Sequence, residues 1–326
     1  MNLFQEEYSI FPTNYKEILQ RIRNIDPIKY GSTRNYVNGS VTHLSPYISR
    51  GIISTKFILS EVLNRGYNPS KIEKFIQELA WRDYWQQIAI SKKSAIDEDL
   101  KHAQTPIANH SISDAIVEAN TGIIAIDNAI NEFYETGYLH NHVRMYIASI
   151  ACNIGQNHWK RPAEWMYYHL LDADWASNTL SWQWVAGSNA NKKYVANQDN
   201  INKYCFTNQK NTFVDIPYEA FSSLEIPEVL KKTSSVKLET PLPEQKEIEI
   251  KYFQKKTMSP IFLSMMGLMR YKVFSLVSYV FYLLIYSNTV IADNIELFEH
   301  NDITIIGFGS CNDQSLSQIF WKNIQA

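Results

Sequence analysis

Cysteine is scarce in this chain, with 3 among 326 residues, at positions 152, 205 and 311. No C-x-x-C occurs, and three scattered thiols cannot complete a four-cysteine cluster. That excludes the common zinc and iron–sulfur frameworks. The thiols read as reduced, which points to the cytoplasm. An apolar leader is lacking too. The opening M-N-L-F-Q-E-E-Y carries acids at once, which argues against secretion. Surplus positive charge is missing, with 31 Lys and Arg against 33 Asp and Glu, so any nucleic-acid contact needs a local basic patch. The longest uncharged apolar run, Val273–Tyr286, falls short of the ~20 residues of a membrane span and reads as a buried helix or strand pair. No membrane association is expected. No internal repeat is visible.

Acids are also absent locally. The windows Pro27–Ser60, Thr136–Ala163 and Trp175–Gln198 contain none, yet they hold Arg34, Arg50, Arg144, Arg161, Lys192, Lys193 and His43, His140, His142 and His158. If the windows converge they build a positive surface inside a neutral protein, suited to phosphates of a cofactor or of DNA. Buried helices that expel acids are the competing explanation.

Residues 1–210 read as continuously helical. Ser70 and Glu73 have capping-box spacing ahead of Phe75, Ile76 and Leu79. Ile123, Ile126, Ile130 and Phe133 repeat the helical period, and Gly137 is placed as a stop. Asn141–Cys152 continues the pattern, and Pro162 suits the first turn of a helix reaching about Leu171. Residues 211–258 turn rich in Lys, Glu, Ser and Pro and read as a linker or extension. Residues 259–326 read as a small appendage, α/β in character, with I-T-I-I-G-F-G-S (303–310) as a strand ending in glycines. The fold class expected is mainly α.

Several motifs admit two readings. In D-A-D-W-A-S-N-T-L-S-W-Q-W (172–184), helical spacing puts Asp174, Asn178 and Trp182 on one face. Asp172 and Asp174 suit a surface helix start, a metal or acid–base pair, or acceptors for the N–H groups of a bound ring. His140 and His142 resemble a metal pair but stand two apart, so a helix points them to different sides; no metal site is expected, and Arg144 is the stronger candidate, as an anion holder. The turn Thr42, His43, Leu44, Ser45 reads as an N-cap or a phosphate contact. Trp81 and Trp85 read as core packing or as a stacking platform for bases or a ring cofactor.

Taken in order, T-G-x-x-x-I-D-x-A-I (121–130), G-Y-L-H-N-H-V-R-M (137–145) and W-M-Y-Y-H-L-L-D-A-D-W-A-S-N-T-L-S-W-Q-W (165–184) resemble the helical FAD-binding domain of DNA photolyases and cryptochromes. The resemblance runs from about Tyr30 to Trp184. It implies FAD as cofactor and, since the flavin domain begins almost at once, no antenna chromophore. It implies that Tyr30, Thr42, His43, Leu44 and Ser45 hold the flavin's phosphates and ribityl chain, and that Arg82, Asn141, Arg144, Asp172, Asp174 and Asn178 line the cofactor. Glu78 and Trp81 match E-x-x-W-R of the substrate pocket, with Asn141 and Met145 beside it. Trp182 and Trp159 match the proximal and middle members of a tryptophan electron chain, and Trp184 the indole that stacks on a flipped-out pyrimidine dimer.

The implied function is light-driven repair of cyclobutane pyrimidine dimers by electron transfer from reduced FAD, with dimer-containing DNA as partner. The alternative is a cryptochrome-like blue-light sensor without repair, working through a protein partner. Departures from the family pattern fall at Ile154, where an acid pairs with the Arg; at His142, where an Arg binds phosphate; and near Pro106, where no distal Trp stands.

Overall fold

The computed structural model describes residues 10–239 with their side chains, and the backbone of residues 283–287 and 304–308. Twelve α-helices are described, in chain order: α1 Tyr15–Arg23, α2 Pro27–Thr33, α3 Ser45–Ser49, α4 Thr55–Leu63, α5 Glu73–Lys92, α6 Asp114–Val117, α7 Ile124–Thr136, α8 Asn141–Ser149, α9 Lys160–His169, α10 Trp175–Ala186, α11 Gln198–Cys205 and α12 Glu228–Lys231. The strands are β1 Ile112–Ser113, β2 Thr233–Ser234, β3 Leu283–Ser287 and β4 Thr304–Phe308. The described chain is mainly α, as the sequence predicts. None of the helices described is long and apolar enough to cross a membrane.

The chain packs as two units. In the first, residues 10–25 and 42–66, α1 and α4 bury Ile18, Ile22, Ile58 and Val62. Asn14 and Ser54 cap these two helices by accepting from Lys16 N and Phe57 N. The hydroxyl of Tyr47 donates to Pro12 O, and Arg65 donates to Arg23 O. β3 and β4 pair in parallel, Leu283 opposite Thr304 and Ser287 opposite Phe308. The end of the apolar run 273–286 and part of the stretch 303–310 are therefore strands; the rest of 240–326 lies outside the described residues.

The second unit, residues 26–41 and 67–239, holds the larger core. Its centre is Ile126, Ile130, Phe133, Ile147, Trp159, Trp165 and Leu180, all fully buried. Each such side chain is worth roughly 1.5–3 kcal/mol of burial. Gly137, at φ 68°, ends α7 in the left-handed conformation that glycine adopts without strain, where the sequence places the stop.

Three expectations are corrected. Ser70 and Glu73 do not form a capping box. Asn68 captures the amide of Ser70 and caps a 3-10 turn, Pro69–Lys71, while α5 starts from Ile72 without a side-chain cap. The helix expected over Asn141–Cys152 ends at Ser149 and widens into a π turn, Ile150–Ile154. Gly155 closes that turn. A Cβ there would lie 3.1 Å from both Ala151 O and Asn157 Oδ1, so the chain can approach so closely only without one. Finally, residues 211–239 pack on the core. Val214 and Leu230 are fully buried, β2 pairs antiparallel with β1, and Lys232 meets Asp114 at 2.9 Å. Sparse apolar anchors do this among many charges, which composition averages away.

Candidate functional site

The turn before α10 carries two carboxylates, Asp172 and Asp174. Leu171 N donates to Gly137 O, which ties this turn to the end of α7. Asp172 follows with its side chain only 5% exposed. Arg144 on α8 donates from Nη2 to both of its oxygens, at 3.0 and 3.1 Å, and from Nε to Leu139 O. Arg144 thus has a carboxylate partner in Asp172. The phenol of Tyr138 feels the pair: burial pushes it up to about 12, with Arg144 pulling down and Asp172 pushing up.

Asp174 is the N-cap of α10 rather than a residue of its first turn, because its backbone is extended. Its oxygens accept from Ser177 N and Ser177 Oγ, each at 3.1 Å. They also accept from Arg82 Nη1 at 2.9 Å and from Gln86 Nε2 at 2.7 Å. Arg82 and Gln86 are four apart on α5 and share a face, so one helix delivers a cation and an amide to one carboxylate. The sequence pattern missed Gln86; that spacing is the signal that could have found it. The surface-start reading is half right. Asp174 does open the helix, but it is 10% exposed and already accepts from four protein donors.

Asn178 sits one turn on, and its Nδ2 donates to Ala163 O of α9 at 2.9 Å. Trp182 and Trp159 are buried in the same core cluster. The indole of Trp159 donates to Asp99 Oδ1 at 2.7 Å, a partner the sequence pattern did not supply. Trp184, two positions beyond Trp182, turns outward and is 41% exposed, with its ring 6.1 Å from that of Tyr194.

On α5, Trp81 is 49% exposed and stacks on Trp85 with ring centroids 5.2 Å apart. The aromatic pair of the sequence is therefore a partly open platform rather than core. Glu78, one turn earlier, accepts from Arg34 Nε at 3.1 Å, and Arg34 also donates to Gly31 O. Tyr30 lies edge-on to Phe75 at 5.3 Å, its phenol pushed up by burial and by the Glu78 charge.

Asn141 is exposed at the start of α8, and Met145 packs against the core. His140 caps α8, its Nδ1 accepting from His142 N at 3.2 Å. No group of three metal-type ligands exists among the described residues. His142 lies edge-on to Tyr146 and to Tyr204 at 4.8 Å each, and its buried Nε2 has no hydrogen-bond partner. Burial, then the Arg34 charge, lowers it to about 4, so its imidazole is neutral at pH 7.

Thr42, His43, Leu44 and Ser45 belong to the first unit. Leu44, not a hydroxyl residue, occupies the N-cap of α3 and makes no side-chain cap bond. His43 has φ 51°, its carbonyl accepts from Arg21 Nη1, and its imidazole is lowered by burial and by Arg21.

The class defined so far is a helical domain that presents two buried carboxylates, each braced by an arginine, beside a core of buried indoles. Residues 75–254 match the family model for the FAD binding domain of DNA photolyase. The chain is 29% identical over 190 residues to the deoxyribodipyrimidine photo-lyase of Buchnera aphidicola, covering 55% of this chain and 39% of that one. It is 31% identical over 169 residues to the chloroplastic/mitochondrial cryptochrome DASH of Ostreococcus tauri, covering 48% and 30%. A crystal structure of a Synechocystis cryptochrome superposes with a TM-score of 0.53 at 24% identity, over 63% of this chain and 46% of that one, a likeness of fold. The chain belongs to the photolyase/cryptochrome family through its FAD-binding domain. It spans about two fifths or less of the length of these two curated relatives.

The donor set suits the cofactor the family's domain is named for. Carboxylates such as Asp172 and Asp174 accept from imide and amine N–H groups, guanidinium groups donate to ring carbonyls and phosphates, and neither role demands a metal.

Proposed function

We propose that this chain binds FAD and uses light to split cyclobutane pyrimidine dimers in DNA. The observation that carries this reading is the pair of arginine-braced carboxylates, Arg144–Asp172 and Arg82–Asp174, at one end of a helix whose other end carries Trp182 and Trp184. When bound, FAD supplies the light-excited electron donor. Everything else falls to the protein. Asp172 and Asp174 accept hydrogen bonds from the ring systems, and their arginines hold both carboxylates in place. Asn178, steadied by Ala163 O, presents its amide to the ring edge. Buried Trp182 and Trp159 replenish electrons from the protein side.

Trp81 and Trp184 offer open aromatic faces to an extruded base, and Glu78 with Arg34 offers an acceptor and a donor beside them. Tyr30, Arg34 and Asn141 would meet phosphate and ribityl oxygens. Dimer-containing oligonucleotide is the test. Dimer content falls when the FAD-loaded, reduced protein is lit and stays constant in the dark; unchanged content under light rejects repair.

A second reading is favoured by one observation, the neutral His142 where a fixed cation would hold a backbone phosphate. On that reading the chain is a blue-light sensor that answers to a protein partner. Light-dependent partner binding together with lesion-independent DNA affinity would select it.

A further inference from the structure

Two neighbouring carboxylates each receive an indole N–H. Asp97 accepts from Trp175 Nε1 and Asp99 from Trp159 Nε1, both at 2.7 Å. Only the second indole lies on the electron route proposed above. Trp159 is fully buried, and its backbone amide is held by Gln104 Oε1 at 2.9 Å. Gln104 N in turn donates to Asp99 Oδ2 at 2.8 Å, so the strap 99–104 grips the indole and its acceptor together. Asp99 is 22% exposed, and His158 Nε2 stands 3.7 Å from its Oδ1. The His158 ring stacks on that of His110 at 4.9 Å. A buried indole N–H needs only a carbonyl to be satisfied. A carboxylate does more: it makes a charge-assisted bond, and it is a base within proton-transfer reach.

We propose that Asp99 accepts the Nε1 proton of Trp159 when that indole loses an electron. The inference rests on the reading that Trp159 serves a light-driven flavin. One electron leaves Trp159 for oxidised Trp182. The Nε1–H bond breaks, an O–H bond forms at Asp99 Oδ1, and the carboxylate becomes a neutral acid. Trp159 is left as an uncharged radical rather than a cation. Without its positive charge the radical no longer draws the electron back so strongly. A soluble thiolate then gives one electron and becomes a thiyl radical, and Asp99 returns the proton to nitrogen. The groups facing Asp99 are Trp159, the Gln104 amide and His158; His158 is itself surrounded by His110, Glu98 and Lys160, and burial keeps it below its ordinary value.

Flash illumination of the FAD-loaded full chain tests this by the identity of the indole radical. Wild type forms the deprotonated radical, more slowly in D2O than in H2O. Asp99→Asn leaves the radical cation, with a lifetime shortened by about a hundredfold, at the low end of what a proton-transfer partner contributes. Asp99→Glu restores the deprotonated radical, and Asp97→Asn, which removes the charge from an equivalent indole bond, behaves as wild type. A readout without flavin is the 15N-indole resonance of Trp159, assigned by its loss in Trp159→Phe, which moves upfield in Asp99→Asn. The same deprotonated radical with the same lifetime in Asp99→Asn overturns the inference and leaves the proposed function standing. Should Asp99→Asn fail to fold, equal rates in H2O and D2O for wild type overturn it. A wild type that forms no light-driven indole radical overturns this inference and the electron route together.

Discussion

Arg82 and Asp174 stand 92 positions apart in the chain, and Arg82 Nη1 lies 2.9 Å from Asp174 Oδ2. The pair joins the middle of α5 to the N-cap of α10, so the helix carrying Trp81 and Glu78 is locked to the helix carrying Asn178 and Trp182. Asp174 also caps α10, so on the proposed reading one carboxylate serves stability and cofactor binding together.

Asp174→Ala should therefore act on both. Loss of the cap and of a largely buried ion-pair partner costs on the order of 3 kcal/mol, read as a lower denaturant midpoint. A lost charge-assisted bond weakens FAD binding by about tenfold to a hundredfold. Arg82→Ala should lower stability to a similar degree. A variant that holds FAD as tightly as wild type removes Asp174 from the cofactor site.

Trp81→Ala and Trp184→Ala should leave folding nearly unchanged, because both side chains already face solvent. Each should weaken binding of a dimer-containing oligonucleotide by 1–3 kcal/mol, about fivefold to a hundredfold, as the loss of one base–aromatic stack predicts. Fluorescence anisotropy in the dark measures it. Equal affinity in either variant removes that indole from the lesion pocket.

His142→Arg supplies a fixed cation where the imidazole is neutral. On the repair reading DNA affinity rises, and the slope of log affinity against log salt steepens by about 0.7–0.9, one phosphate's worth. On the sensor reading neither changes. Salt titration of the two proteins separates them.

Stability should fall as the solution is acidified from pH 7 to pH 5. His142 and His169 are both lowered to about 4, by burial first, and for His142 by Arg34 as well. Their folded values lie below the unfolded 6.5, so the unfolded chain takes up protons first. This share of stability is fully present above about pH 6.5 and is lost progressively towards pH 4. His142→Gln, neutral in both states, should flatten the decline. A midpoint that does not move between pH 7 and pH 5 contradicts the buried neutral state of both rings.

Much of this was legible in the sequence because the signals are local. Helical period and Gly137 mark α7, and the D-A-D stretch marks the entrance to α10. Other features turn on partners distant in the chain. Nothing near Trp159 announces Asp99, sixty positions earlier, and nothing near Asp174 announces Gln86. Asn68 outcompeted the Ser70 capping box because Pro69 starts a tight turn two residues before the expected helix. The His140–His142 pair, which the sequence did not read as a metal site, is a helix cap that the sequence did not announce, made by one backbone amide. Charge-rich residues 211–239 hid Val214 and Leu230, whose burial no composition window could register.

The central claim is that the two braced carboxylates hold a flavin. The most direct measurement is FAD retained per chain after gel filtration with excess cofactor, compared between wild type and the double variant Asp172→Asn/Asp174→Asn. Wild type should emerge yellow with one FAD per chain, and the double variant, still helical by circular dichroism, should emerge colourless. A colourless wild type, or a folded double variant that keeps its full complement of FAD, would contradict the account.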